Sequence, residues 1–370
     1  MNSLSDSSAE TVQSTTELHS EAWLEQEELW ITRFFKERVP EELAKSGKTS
    51  ENCKIPTAND CESFARRLLQ AQDIEPVKSQ GATSYTLICP SQAKIIQFRL
   101  KPLDEGVLTL AHRIYGDLVP SIMSFGNFAL PVYICPAIPG QVHMLQKFPK
   151  GAFPLQRQLT TVTELAQFVA KSAFWPQPVS TYSPTSWTKT ARSNLVRLTQ
   201  NDSLRKIEPR FANKASSLLE KVSLLDKLPP VLTHHDFAEV NIMVDLQGHL
   251  TGVIDFDDAQ TEAFGMCIFG VYEGFFGVMK DQKWSFFDEP AGDGSGRSVR
   301  NVLDTAFWDT LWDSVPPGMK RQEFEEAVMV AVDIGIVNRY FVRGLIENVN
   351  LESEDHRSSL EFAKGIFLER

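Results

Sequence analysis

A chain of 370 residues exceeds the ~100–200 residues of one ordinary domain, so two lobes, or one large domain with extensions, are expected. Its 42% apolar and 10% aromatic content can fill sizeable cores, which excludes an intrinsically disordered protein. With 48 acidic side chains against 37 basic ones, the net charge of −11 would repel phosphate backbones and anionic lipid headgroups, so neither nucleic acid nor a membrane surface is an expected partner.

Residues 1–20 are Ser/Thr-rich and acidic, without the basic and apolar regions of a secretory leader, and are expected to form a disordered tail on a cytoplasmic protein. The five cysteines (Cys53, Cys61, Cys89, Cys135, Cys267) are scattered and lack CxxC spacing, which suits reduced, mostly buried thiols better than zinc ligands. Helical spacing of apolar residues marks Glu21–Ser46 and Asp60–Gln72. Short β-rich runs follow around Val77, at Ser84–Cys89 and at Ile95–Leu100, and read as a small antiparallel sheet. A helix over Leu103–Tyr115 and strands at Ser121–Phe125 and Val132–Ala137 lead to Ile138-Pro139-Gly140, where the chain is expected to change lobe. Residues 21–140 thus form the N-terminal helices and small lobe, and residues 141–370 the larger helical lobe.

In that larger lobe, Thr161-x-x-Glu164 has capping-box spacing before Leu165 and Phe168, so a helix start is expected there. Further helices fit Ala191–Thr199, Arg210–Ser223, Val302–Trp312 and Glu323–Ile346. The longest near-apolar run, Ala327–Val337, contains Asp333 and falls short of the ~20 residues that cross a bilayer. The glycine-alternating run Ala291–Arg297 has no preceding strand and reads as a loop rather than a phosphate cradle.

The segment from Val231 to Gly265 carries the chemistry. His235-Asp236 is followed five positions later by Asn241, then by the β-prone run Ile242–Val244, a turn at Gly248, and a second β-prone run Thr251–Ile254 ending in Asp255. Phosphoryl transfer asks a protein for a carboxylate that orients and deprotonates the acceptor hydroxyl, and for oxygens holding a divalent ion on the nucleotide phosphates. Asp236, Asn241 and Asp255 supply such oxygens. The Asp-x4-Asn spacing lets the loop double back, so that the asparagine faces the metal beside the carboxylate.

The joint pattern H-x-D-x4-N with three apolar residues and Asp, then G-V-I-D, closely resembles the aminoglycoside phosphotransferase family, whose relatives include choline kinases. The resemblance covers roughly Val77–Tyr272 and is sharpest in its last forty residues. It implies an α+β, two-lobed protein-kinase-like fold with a small antiparallel-sheet N-lobe and a larger, mostly helical C-lobe. It also implies transfer of the γ-phosphate of ATP or GTP, with Mg²⁺, to the hydroxyl of a small-molecule acceptor. By the same match Asp236 is the catalytic base, and Asn241 and Asp255 hold the metal. Val132–Gly140 is similar to the family's hinge, which implies that the backbone of Cys135 to Ala137 contacts the adenine edge, although Pro136 lacks an N–H.

The small lobe departs from the family pattern. Where a strand normally carries a phosphate-binding lysine, this chain offers Arg99 or, two positions earlier, Gln97. The ion-pair partner on the next helix would be Glu105, or Asp104 in a shifted register. The loop over the nucleotide, Ser79–Ser84, has the single glycine Gly81. These departures leave room for an alternative, a kinase-like nucleotide-binding or scaffold protein with little transfer activity. Acidic residues crowd Glu239–Glu289; most read as solvated surface, and any that line a cleft would favour Mg²⁺ and a cationic or polyhydroxylated acceptor. Tyr272, Phe275, Phe276, Trp284, Phe286, Phe287, Trp308 and Trp312 read as core, with an acceptor wall as the alternative.

Overall fold

The computed structural model describes residues 29–45, 55–77, 80–145, 154–178 and 185–370. The expected tail, Cys53 and Ser79 of the nucleotide loop lie outside the described residues. The chain divides into two compact units, Met1–Glu105 with Pro120–Ala137, and Gly106–Val119 with Ile138–Arg370.

The small unit is built on five antiparallel strands, β1 (Glu75–Pro76), β2 (Ser84–Cys89), β3 (Lys94–Arg99), β4 (Met123–Phe125) and β5 (Val132–Pro136), in the order β1-β2-β3-β5-β4. Alternation along β3 sorts its faces: Ile96 and Phe98 are fully buried beside Leu87, Val132 and Ile134, while Gln97 and Arg99 share the opposite face. The helix Ala58–Leu69 joins this core through Cys61 and Ala65. Its start is fixed by a capping box in which Thr57 Oγ1 accepts from Asp60 N and the Asp60 carboxylate accepts from Thr57 N at 2.9 Å. The helical spacing expected over Glu21–Ser46 is met within the described residues 29–45, which include a π-turn at Phe34–Arg38 before the helix Val39–Lys45.

In the large unit the strands are shorter and more dispersed. β6 (Gln141–Val142) pairs with β8 (Ile242–Val244), and β8 with β9 (Leu250–Val253); β7 (Pro230–Thr233) pairs with β10 (Gln260–Ala263), and β11 (Gly277–Lys280) with β12 (Lys283–Phe286). Gly140 enters β6 with φ +94°, and a Cβ there would lie 2.3 Å from the Val244 carbonyl, so both the backbone conformation and the close approach require glycine. The helix Glu105–Tyr115 contributes Ala111, Ile114 and Tyr115 to this unit's core, where Tyr115 stacks on Phe168 with ring centroids 4.0 Å apart.

The helix start expected at Thr161 is not found. The helix runs unbroken from Leu155 to Ser172. Its capping-type side chains are used elsewhere: Thr161 Oγ1 donates to the Gly248 carbonyl at 2.7 Å, and Glu164 accepts from Leu250 N and contacts His249 Nδ1. They tie the β8–β9 turn to the side of the helix, a role that local spacing cannot distinguish from capping. The helices Ser186–Thr199, Arg210–Lys221 and Val299–Ser314 match the expected ones within a few residues, and Tyr272, Phe275, Phe276, Trp284 and Trp308 are core. The Glu323–Ile346 expectation becomes an α-helix, Arg321–Ile336, that continues as a nine-residue π-helical stretch over Val337–Leu345. Buried Asp333, which interrupts the apolar run, accepts ion pairs from Lys214 and Arg370. Among the described residues no helix is long and apolar enough to cross a membrane.

Candidate active site

β7 delivers the loop that follows it with a buried histidine at its head. His234 Nε2 donates to the Ile254 carbonyl at 2.8 Å, which leaves Nδ1 to accept from the Asp236 N–H at 3.1 Å. Burial pushes the His234 imidazole below its ordinary range, so the neutral ring these two bonds need is the favoured form. The sequence reading paired Asp236 with His235; the brace is His234, the first residue of the H-x-D triplet. His235 turns instead toward Glu262, whose Oε2 lies 2.7 Å from its Nε2.

The Asp-x4-Asn loop doubles back as its spacing suggests. Asn241 Nδ2 donates both to the Asp236 carbonyl at 2.9 Å and to Asp236 Oδ2 at 3.2 Å, which commits the amide nitrogen and turns Oδ1 the other way. The Asn241 carbonyl accepts from Ile254 N at 3.0 Å. Ile254, held at its N–H by Asn241 and at its carbonyl by His234, fixes the backbone that enters Asp255. Asp255 is exposed and has φ +65°, a left-handed conformation that Asp tolerates better than most residues and that stores strain at a constrained position. Asp236, Asn241 and Asp255 are thereby organised by one set of bonds.

Two further elements support this loop, and sequence reasoning missed both. The helix Phe269–Phe275 packs against the backbone of the loop so closely that a Cβ on Gly270 would lie 1.4 Å from the Phe237 carbonyl oxygen. From the π-helical stretch, Arg339 Nη1 reaches Asp236 Oδ1 at 2.5 Å, and its Nε lies 3.5 Å from Glu273 Oε2. Tyr340 also donates to Glu273 at 2.5 Å. Burial pushes the Glu273 carboxyl above the ordinary carboxylate range, against the opposing pull of Arg339 and Tyr340. Burial also works against the Arg339 charge, yet Glu273 and Asp236 outweigh it and hold the guanidinium protonated. A hundred residues separate Arg339 from Asp236, so no spacing rule links them. The available signal was a cation closing a largely apolar helical run.

The small unit carries the remaining candidate residues. Arg99 is buried at the end of β3, with Nη2 3.2 Å from Thr83 Oγ1 and Nη1 3.4 Å from Gln97 Oε1. Arg99 and Gln97 lie on one face of one strand, so the two-residue ambiguity in the sequence concerns position along the strand, not its face. Glu105 opens the helix Glu105–Tyr115 and is exposed. Gly81 has no left-handed φ, and a Cβ there would meet Ser84 Oγ at an ordinary 3.5 Å, so nothing at this position requires glycine. The loop is instead stapled by the Gln80 side chain, which donates to the Val77 and Thr86 carbonyls and accepts from Thr86 N. At Ala137 only the carbonyl is left to face a base edge. Its N–H donates to the Ala93 carbonyl at 2.8 Å and is not open to a base edge; Pro136 has no N–H to offer. Burial pushes the neighbouring Cys135 thiol up to about 11, so it is not a thiolate near neutral pH.

Among the described residues no group of three or more His, Cys, Asp or Glu side chains is arranged to hold a metal by itself. The donor set of Asp255 and the Asn241 side-chain oxygen Oδ1 nevertheless fits Mg²⁺, a hard ion commonly bound by one or two protein oxygens together with substrate phosphates and water.

A small antiparallel sheet unit, a mostly helical unit and a cross-braced D-x4-N loop define a kinase-like α+β architecture. Residues 117–263, about two-fifths of the chain, match the family model described as the phosphotransferase enzyme family. Over this segment the chain is thus similar to phosphotransferases, in line with the resemblance read from the sequence. No curated protein matches the chain. Among solved structures, an ADP-bound aminoglycoside phosphotransferase is 14% identical over 82% of this chain and 97% of its own, with a TM-score of 0.46. An ethanolamine kinase from Plasmodium vivax is 12% identical over 88% of this chain and 94% of its own, at 0.48. A choline kinase from Streptococcus pneumoniae is 10% identical over 83% and 98%, at 0.46.

Proposed function

We propose that the protein transfers the γ-phosphate of ATP, or of GTP, to a hydroxyl of a small-molecule acceptor in a Mg²⁺-dependent reaction. The observation that carries this reading is the bracing of Asp236, Asn241 and Asp255 by His234 and the Ile254 backbone. Asp236 is the proposed base: it orients the acceptor hydroxyl and takes its proton as the oxygen attacks phosphorus. About 30% of its side chain is exposed, which leaves it reachable, while Arg339 and Asn241 each contact one of its oxygens and set the direction of the remaining lone pairs. Asn241 Oδ1 and Asp255 would hold Mg²⁺, which supplies charge neutralisation on the transferred phosphate. In the small unit, Arg99 is the proposed cation for the nucleotide phosphates and Glu105 the acid that orients it, with backbone at Gly81 and the Cys135 and Ala137 carbonyls as the remaining nucleotide contacts. A guanidinium presents a planar fork where an ammonium is a point charge, so the phosphate geometry here would differ from that of a lysine site.

The test is Asp236→Asn, which keeps size and polarity but cannot take the proton. Transfer from γ-labelled ATP to a cognate acceptor should fall by ~10²–10⁴-fold, with thermal stability and ATP–Mg²⁺ affinity little changed. Wild-type transfer rates in this variant would remove Asp236 from the role.

A further inference from the structure

Next to Asp236, which Arg339 contacts, lies a depression whose polar lining is Thr233, His235, Glu262, Asn338, Arg339 and Arg343, the rest of the wall being apolar. About 300 Å³ of space, part of it open to solvent, lies between its walls, which admits a group of a few heavy atoms. The polar groups divide into those already satisfied and those not. Glu262 is occupied at both oxygens, by His235 and, at 3.4 Å, by Gln260. Arg339 shares its charge between Asp236 and Glu273. Arg343 has a long 3.8 Å pair with Asp258 and a 3.5 Å contact to the His235 carbonyl. Both members of that ion pair are substantially exposed, which makes it a weak competitor for the guanidinium. Thr233, although 2% exposed, has an Oγ1 with no hydrogen-bond partner among the described residues. A buried hydroxyl without a partner carries a desolvation cost that a bound polar group would relieve.

We infer that this depression binds a compact oxyanion, a carboxylate or phosphate group, carried by the acceptor a few atoms from the hydroxyl that is phosphorylated. The donors available in its lining are the guanidinium of Arg343, only weakly held by Asp258, the amide of Asn338, and the partnerless hydroxyl of Thr233. A guanidinium fork matches a planar or tetrahedral oxyanion in two hydrogen bonds at once. Arg339 lines the depression and touches Asp236, so a group seated there lies one side chain from the proposed base. This assignment opposes the cationic acceptor that the surrounding acidic sequence suggested: Asp257 and Asp258 are exposed, and Glu262 is committed to His235.

The inference rests on the reading of Asp236 as the acceptor-facing residue, yet it can be tested without transfer. The full chain is titrated by calorimetry at matched ionic strength with glycerate and glycerol 3-phosphate as anionic probes, glycerol as the neutral one and choline as the cationic one. At least one anionic probe should bind more tightly than glycerol and choline, and its affinity should fall about tenfold in Arg343→Met, as for loss of a charge-assisted hydrogen bond. The near-isosteric Thr233→Val should weaken the same probe without affecting choline. Preference between the carboxylate and the phosphate identifies which oxyanion the acceptor carries. Choline or glycerol binding as tightly as both anions, binding unchanged in both variants, or no binding of either anion would overturn the inference. Oxyanion binding in wild type together with undiminished transfer by Asp236→Asn would instead overturn the base assignment and leave the depression's role standing.

Discussion

In the large unit each candidate residue is held by at least two neighbours: Asp236 by Arg339, Asn241 and His234, Asn241 by Asp236 and Ile254, and the entry to Asp255 by His234 and Asn241. In the small unit the corresponding candidates sit on one strand face, an exposed helix start and a loop whose glycine is not sterically required. The two tasks differ in tolerance. A base and metal ligands must place single oxygen atoms within a few tenths of an ångström, which calls for fixed backbone and crossed hydrogen bonds. Neutralising a polyphosphate is a longer-range electrostatic task that an arginine on a neighbouring strand position can perform with different geometry.

The comparison breaks or sharpens under substitution. Asp236→Asn, with its ~10²–10⁴-fold expected loss of transfer, marks the upper end. Next comes Gly270→Ala: with no room for a methyl against the Phe237 carbonyl, the helix and the loop must separate, at roughly 3 kcal/mol or more of unfolding free energy. Urea melts would read this directly, and a variant as stable as wild type would show that the loop is less rigidly seated than the contacts imply. For the small unit, Arg99→Ala should weaken ATP binding by ~1–3 kcal/mol, the order for losing a hydrogen bond to a charged group. If Gln97→Ala had that effect and Arg99→Ala had none, the phosphate-facing position would lie two residues earlier on β3.

A smaller effect belongs to His234. Its folded-state pKa lies below the ordinary ~6.5, because burial disfavours the imidazolium. Above that pH both folded and unfolded chains carry the neutral ring and stability is unaffected. As pH falls below it, the unfolded chain binds a proton that the folded one refuses, so stability declines until the folded pKa is passed. Urea melts at descending pH should show that decline in wild type and a shallower one in His234→Gln; parallel curves would mean that the ring is not held neutral. The smallest effect is Gly81→Ala, which should change stability and nucleotide affinity by no more than about 0.5 kcal/mol. A larger loss in ATP titrations would mean that this loop approaches the phosphates closely enough to need glycine, bringing the small unit nearer in character to the large one.

The residues themselves determined the strands at Ser84–Cys89 and around Ile95–Leu100, whose β-rich runs and turns are local, and the close approach of Asp236 and Asn241, whose spacing is a property of one short segment. They also determined that the Ala327–Val337 run is not a membrane span, since Asp333 lies within it. What tertiary structure decided is what depends on distant partners. Thr161 and Glu164 have capping spacing but bond a turn more than eighty residues away, because a continuous helix leaves those side chains free to reach it. The Ala137 N–H is taken by the Ala93 carbonyl on β3's entry turn. His234 rather than His235 braces the loop because its ring alone is directed inward, toward Ile254. Arg339 and Arg343 come to the site from the far end of the chain, on the π-helical stretch Val337–Leu345, and packing, not local composition, sets where such side chains arrive.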